Sequence, residues 1–212
     1  MKKPRKKPDS WYGKAWFFIW HDNSIWSWIV NIILAFVLIK FILYPGLGLI
    51  MGTPLPVVAV VSESMEHRGS FDDWWHSPAV CDSGACTQQE WYLERNLNEA
   101  DFKTFPFDSG FNKGDIMILI GKKPDKIKVG DVIVYASGKD YPIIHRVVRT
   151  WTEEGILYYE TKGDHNERQI QDLTLNEKLV RQDKVFGVAV IRIPWLGWVK
   201  ILAVDSLRAV LH

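Results

Sequence analysis

Nineteen residues, Ile25 to Leu43 (IWSWIVNIILAFVLIKFIL), contain one charge, Lys40, and one amide, Asn31. As a helix rising ~1.5 Å per residue they reach roughly 28 Å, close to the hydrocarbon thickness of a bilayer. Asp22, Asn23 and Ser24 can cap the start. Trp26 and Trp28 at one end and Tyr44 at the other occupy aromatic-belt positions, and Lys40 can snorkel outward. A buried core helix rarely runs this far without charge. A cleaved signal peptide would be shorter and would close on a small-residue cleavage site. Residues 1–14 hold six cations against one acid, whereas the other 198 residues carry 20 basic and 24 acidic side chains. The positive-inside rule therefore leaves 1–24 as a cytoplasmic basic tail and sends everything after Tyr44 outside, at the cell membrane. The net charge of +1 argues against a nucleic-acid partner. Apolar residues at 47% with 11 Trp argue against disorder.

Residues 41–62 carry no charge, so a second span is allowed by length. Pro45, Gly46, Gly48, Gly52, Pro54 and Pro56 oppose a second continuous helix. The anchor is therefore expected over 25–55, with 45–56 a kinked and partly helical exit. Beyond it the chain reads as an external β domain over 56–193. Candidate strands at 56–62, 115–120, 131–137, 142–151, 156–162 and 184–193 are rich in Val, Ile and Tyr and bounded by turn residues. Residues 66–112 are polar and aromatic-rich, with a helical stretch near 88–102, and read as an insertion between the first two core strands. Its Trp74, Trp75, Trp91 and Tyr92 suit either a core of its own or contact with bilayer or translocon. Cys81 and Cys86 enclose CDSGAC, which fits a disulfide outside the cytoplasm or two free thiols. His67, His76 and Asp72 have no recognised metal spacing.

Three polar elements stand out. Ser62-Glu63-Ser64-Met65 follows the first strand, and alternation places Ser62 and Ser64 on one face if the strand persists. In Tyr141-Pro-Ile-Ile-His145-Arg-Val-Val, alternation puts His145 between Ile143 and Val147 on an apolar face. Thr161-Lys-Gly-Asp164-His-Asn166 ends the next hairpin. Singly, these are a turn serine, a core histidine and an ordinary turn.

In this order and behind an N-terminal anchor, SESM, YPIIHRV and TKGDHN resemble the three boxes of signal peptidase I. The closer branch is the archaeal and endoplasmic-reticulum one, in which histidine replaces a lysine base. KVGDVIVY is similar to the family's strand before the histidine, and the resemblance runs from Ile25 to Lys200. It implies a mainly β signal-peptidase-like domain with one N-terminal transmembrane helix, an inserted cap and a C-terminal amphipathic helix. It implies a membrane-bound serine endopeptidase that cleaves signal peptides from exported preproteins, with small residues at the first and third positions before the cut. Ser64 is then the nucleophile and His145 its general base. Ser62 and Met65 fall in the oxyanion and substrate-binding part, and Glu63 stands where the family often has glycine. Relatives carry a second aspartate six residues after the first; here that position is Ile170 and the next aspartate is Asp172. The orienting acid is expected to be Asp172, brought in by a longer loop, with Asp164 the alternative. Lys162 and Lys122 are the candidates for a lysine base instead. No cofactor or metal is implied; the partners implied are signal peptides, the lipid bilayer and the protein translocon.

Pro194 and the apolar pattern of 195–212 suggest a C-terminal helix in the external membrane interface, with Trp195 and Trp198 toward lipid. Two other functions compete: a catalytically silent anchored β module binding translocon or envelope partners, and a related peptidase processing surface-protein precursors. The silent module requires Ser64 and His145 to lie too far apart to meet.

Overall fold

A computed structural model describes residues 10–139 and 141–198. The chain forms two compact units, divided between Ile50 and Met51.

The first unit is helical. A first helix, α1 (Trp11–Trp20), lies within what the sequence suggests is a plain tail. Its last carbonyls lack partners within the helix. Two polar side chains of the next helix, α2 (Ile25–Leu38), supply them: Ser27 Oγ donates to Phe18 O at 2.5 Å and Asn31 Nδ2 to Ile19 O at 2.9 Å. Ser24 caps α2 by accepting from the Ser27 N–H. The helix widens to a π-turn over Ile39–Leu43 and continues as α3 (Tyr44–Met51). Pro45 has no N–H for the preceding turn, which accounts for an irregularity rather than a stop. The continuous helix Ile25–Met51 spans 27 residues with a mean hydropathy of 2.3, long and apolar enough to cross a membrane. Helix therefore persists through most of the expected kinked exit.

The second unit is a curled antiparallel sheet. Its strands are β1 (Val57–Ala59), β4 (Ile116–Ile120), β5 (Val132–Tyr135), β6 (Ile143–Glu153), β7 (Ile156–Lys162), β8 (Val180–Arg181) and β9 (Val185–Ile193). Their order is β1-β4-β9-β5-β6-β7-β8. Each of the six expected strands is present. Between β1 and β4 lies the insertion, with α4 (Phe71–Trp75), the hairpin β2 (Pro78–Cys81) and β3 (Gly84–Thr87), α5 (Gln88–Leu93) and α6 (Glu99–Phe102). The expected helical stretch is thus two short helices, each started by a capping box, Thr87 with Glu90 and Asn98 with Asp101. Cys81 and Cys86 are joined by a disulfide across the β2–β3 hairpin.

Three apolar clusters fill this unit. Ile133, Tyr135, Ile143, Val147 and Tyr159 pack on one face of β5–β7, while Val60, Met65, Phe111, Met117 and Val132 form a second cluster. Trp74, Trp75, Trp91, Tyr92 and Phe102 make a third, closed against Val148 of β6. The insertion's aromatics therefore form its own core. Residues 194–198 make a turn that places Trp198 against Gly114, where a Cβ would lie 2.1 Å from the indole nitrogen. Positions 199–212 of the expected C-terminal helix lie outside the described residues.

Candidate active site

The site is built where the turn after β1 meets β6. Opposite neighbours in an antiparallel pair share a face, so the register Ile133↔His145 and Val132↔Arg146 sends the two adjacent side chains to opposite sides. His145 enters the apolar cluster of Ile143 and Val147 and is 3% exposed. Its Nε2 lies 2.9 Å from Ser64 Oγ. Ser64 sits in a tight turn, closed by Glu66 N–H to Glu63 O at 3.1 Å. The two groups expected to act together therefore meet.

Behind the imidazole stands Glu177, whose Oε1 bonds His145 Nδ1. Glu177 is fully buried, and its other oxygen accepts the Ile170 N–H at 2.6 Å. Thr161 Oγ1 lies 3.4 Å from Oε1 and 2.9 Å from Tyr135 OH. Burial, first, and then the charge of Glu177 push the Tyr135 phenol well above its ordinary pKa, so it stays a neutral hydroxyl. A carboxylate at Nδ1 selects the tautomer protonated there and leaves the Nε2 lone pair for the serine proton.

The expected acids lie elsewhere. Asp172, expected beside the imidazole, caps an exposed turn: its Oδ1 accepts from Thr174 N and Oγ1, both at 2.7 Å, and from Leu175 N at 2.8 Å. Those bonds lower its pKa and hold the side chain in the turn. Asp164 is fully buried on the other side of β6. It accepts from Arg146 NH2 at 2.7 Å, His67 Nε2 at 3.1 Å and Tyr92 OH at 3.1 Å. Burial alone would raise its carboxyl, but the Arg146 charge and the His67 bond outweigh it and hold the group well below the usual carboxylate range. Glu177 was missed because it lies outside all three boxes. Its signal is the turn at 172–174, which folds the chain so that Glu177 N–H donates to Ile170 O at 3.0 Å while the Ile170 N–H meets the Glu177 carboxylate.

Ser62 Oγ is 3.1 Å from Ser64 Oγ, so the two hydroxyls are neighbours even though regular pairing of β1 ends at Ala59. Met65 turns away from this surface. Its side chain is fully buried in the second cluster and its sulfur accepts the Asp164 N–H at 3.4 Å. It supports the wall of the site instead of lining a substrate surface. Glu63 is exposed and pairs with Arg68 at 2.8 Å. Neither candidate lysine bonds Ser64. Lys122 pairs with Asp131 at 2.7 Å. Lys162 is fully buried, donates to Gln88 Oε1 at 2.7 Å and to Gly163 O at 3.1 Å, and is brought down by burial to about 7. Among the described residues no group of His, Cys, Asp and Glu is arranged to hold a metal.

A hydroxyl, imidazole and carboxylate thus stand in series on an antiparallel sheet, the arrangement of a serine hydrolase, and the helix that precedes the sheet is long and apolar enough to cross a membrane. No protein-family model matches the chain. It is 31% identical over 166 residues to signal peptidase complex catalytic subunit sec11 of Pyrenophora tritici-repentis, covering 76% of this chain and 71% of the relative. It is 29% identical to SEC11 of Colletotrichum graminicola over 76% of this chain and 72% of the relative. Human SEC11C is 31% identical over 46% of this chain and 53% of its own length. The chain belongs to the signal peptidase family that these catalytic subunits represent.

Proposed function

We propose that this protein is a membrane-bound serine endopeptidase that removes N-terminal signal peptides from exported preproteins. Ser64 attacks the scissile carbonyl, and His145 takes its proton at Nε2 and later returns it to the leaving amine. Glu177 fixes the tautomer and stabilises the imidazolium as it forms. A serine hydroxyl is a weak nucleophile at neutral pH and requires such a base within bonding reach. Ser62 Oγ and the Ser64 backbone N–H stabilise the oxyanion, a role in which one donor contributes about 10²–10³ in turnover. The N-terminus faces the cytoplasm and the β unit the exterior, following the charge asymmetry of residues 1–24. By analogy with the family, we extend the proposal to specificity for small residues before the cut and to association with translocon partners.

The observation that carries this reading is the 2.9 Å approach of His145 Nε2 to Ser64 Oγ, with a buried carboxylate on Nδ1. It also argues against a silent β module. The test is cleavage of a preprotein by the detergent-solubilised full chain. Ser64→Ala, His145→Ala and the double variant should lose similar, non-additive amounts of activity. Full processing by Ser64→Ala would sink the reading.

A further inference from the structure

The loop after β7 forms the back wall of the nucleophile. His165 N–H donates to Ser64 O at 2.8 Å. Gly163 packs so closely that a Cβ there would lie 2.8 Å from Ser64 O and 2.9 Å from His145 Nε2. The loop therefore packs against both members of the pair.

The insertion holds the same loop. Trp74 Nε1 donates to Asp164 O at 3.0 Å, and Tyr92 OH to the Asp164 carboxylate at 3.1 Å. Val80 N–H donates to Glu167 O at 2.9 Å. Gln88, which is fully buried, uses both ends of its amide. Its Oε1 accepts from Lys162 Nζ at 2.7 Å, while its Nε2 donates to Asn166 O at 3.1 Å and Pro78 O at 3.3 Å. Chemistry fixes that orientation, because Nε2 faces two backbone carbonyls, which only accept. One side chain thus bridges both ends of the 162–166 loop and ties it to the disulfide-closed hairpin.

We propose that Gln88, supported by Trp74 and Tyr92, is a positioning residue of the hydrolytic centre: the insertion sets the loop that seats Ser64 against His145. This rests on the peptidase reading above. Gln88 touches no reacting atom and acts through Asn166 and Lys162. Small misplacements of a catalytic pair are costly, about a hundredfold for 1 Å. A contact that served folding alone would lower the melting temperature and leave turnover of the folded enzyme unchanged.

The experiment compares kcat and KM of the full chain in detergent on one preprotein, well below the melting temperature of each variant, with Ser64→Ala alongside. Gln88→Leu should lower kcat by about tenfold to a hundredfold with KM nearly unchanged. Gln88→Glu retains a partner for Lys162 but cannot donate to Asn166 O, so it should fold and still lose about tenfold in kcat. If Gln88→Leu fails to fold, Gln88→Glu alone decides. A folded Gln88→Glu with parental kcat, or with a change confined to KM, would overturn the positioning role. Ser64-independent cleavage by the parent would instead remove the peptidase reading beneath it.

Discussion

His145 and Arg146 are neighbours on β6, face opposite sides of the sheet, and each meets a fully buried carboxylate. Arg146 is closed: beyond Asp164 it donates to Pro106 O at 2.7 Å, Phe107 O at 2.8 Å and Gly130 O at 2.9 Å. Its guanidinium has no donor group left for an incoming molecule. His145 is open at one end, because the nitrogen opposite Glu177 reaches a hydroxyl on an exposed turn. Two buried, carboxylate-paired sites thus differ in whether the chain of bonds terminates inside the protein or at its surface. Burial and pairing alone do not mark chemistry, since structural ion pairs produce both. A relay that ends on a reachable nucleophile does.

The sharpest way to break the comparison is Glu177→Gln. The amide keeps the volume and one acceptor, so the sheet should stay folded. It can also present an N–H to Nδ1 and favour the wrong tautomer, and a fall in kcat of about 10³–10⁴ is expected. The same substitution logic at Asp164 should act on stability instead. Removing one partner of a buried ion pair leaves Arg146 uncompensated and costs about 3–5 kcal/mol. Asp164→Asn should therefore melt much earlier in detergent. At matched distance below the melting point it should keep far more turnover than Glu177→Gln. If the ranking of kcat is reversed, the orienting role passes to Asp164.

A pH series sharpens the Asp164 side. Its native carboxyl titrates below its unfolded value of ~3.9, so the pair contributes fully above that pH and its contribution fades as pH falls toward the native pKa. The gap in melting temperature between parent and Asp164→Asn should be widest above about pH 4 and shrink progressively as pH falls below it. A constant gap would mean that the aspartate charge is not what holds Arg146. Lys162 predicts a slope of the same sign in an alkaline window. Burial lowers its pKa to about 7, so the unfolded chain binds the extra proton between that value and ~10.4. Stability should rise with pH across that window, and Lys162→Met should flatten the rise.

Sequence made the anchor, the six core strands, Ser64 and His145 legible, because each leaves a local mark. An apolar run, Val- and Ile-rich segments between turns, and two family boxes can all be read without knowing what packs against them. Helix α1 is not marked in the sequence because WYGKAWFFIW has one charge, Lys14, among mostly apolar residues and shows no polar face. Its partners, Ser27 and Asn31, look like isolated polar residues in a span until the helices meet. Glu177 was missed for a related reason. Nothing in LTLNEKLV marks a partner for the imidazole; the contact arises only after the chain has doubled back at 172–174 and buried that carboxylate beside β6.

Asp172→Asn should have the smallest effect of the series, and the reason lies in the bonds it makes. All three bonds to Thr174 and Leu175 arrive at a single oxygen, Oδ1. An asparagine carbonyl can accept the same three, and the turn is closed independently by Asp172 N–H to Leu175 O at 2.8 Å. The hairpin should still return Glu177 to His145, with kcat within about twofold of the parent. Asp172→Ala removes that acceptor and loosens the turn from which Glu177 follows, so it should cost more than the asparagine. That order, alanine worse than asparagine and both far milder than Glu177→Gln, is what an indirect, turn-holding role requires. An Asp172→Asn loss as deep as that of Glu177→Gln would show that the charge on Asp172 reaches the imidazole in the working enzyme, and the acid would have to be reassigned.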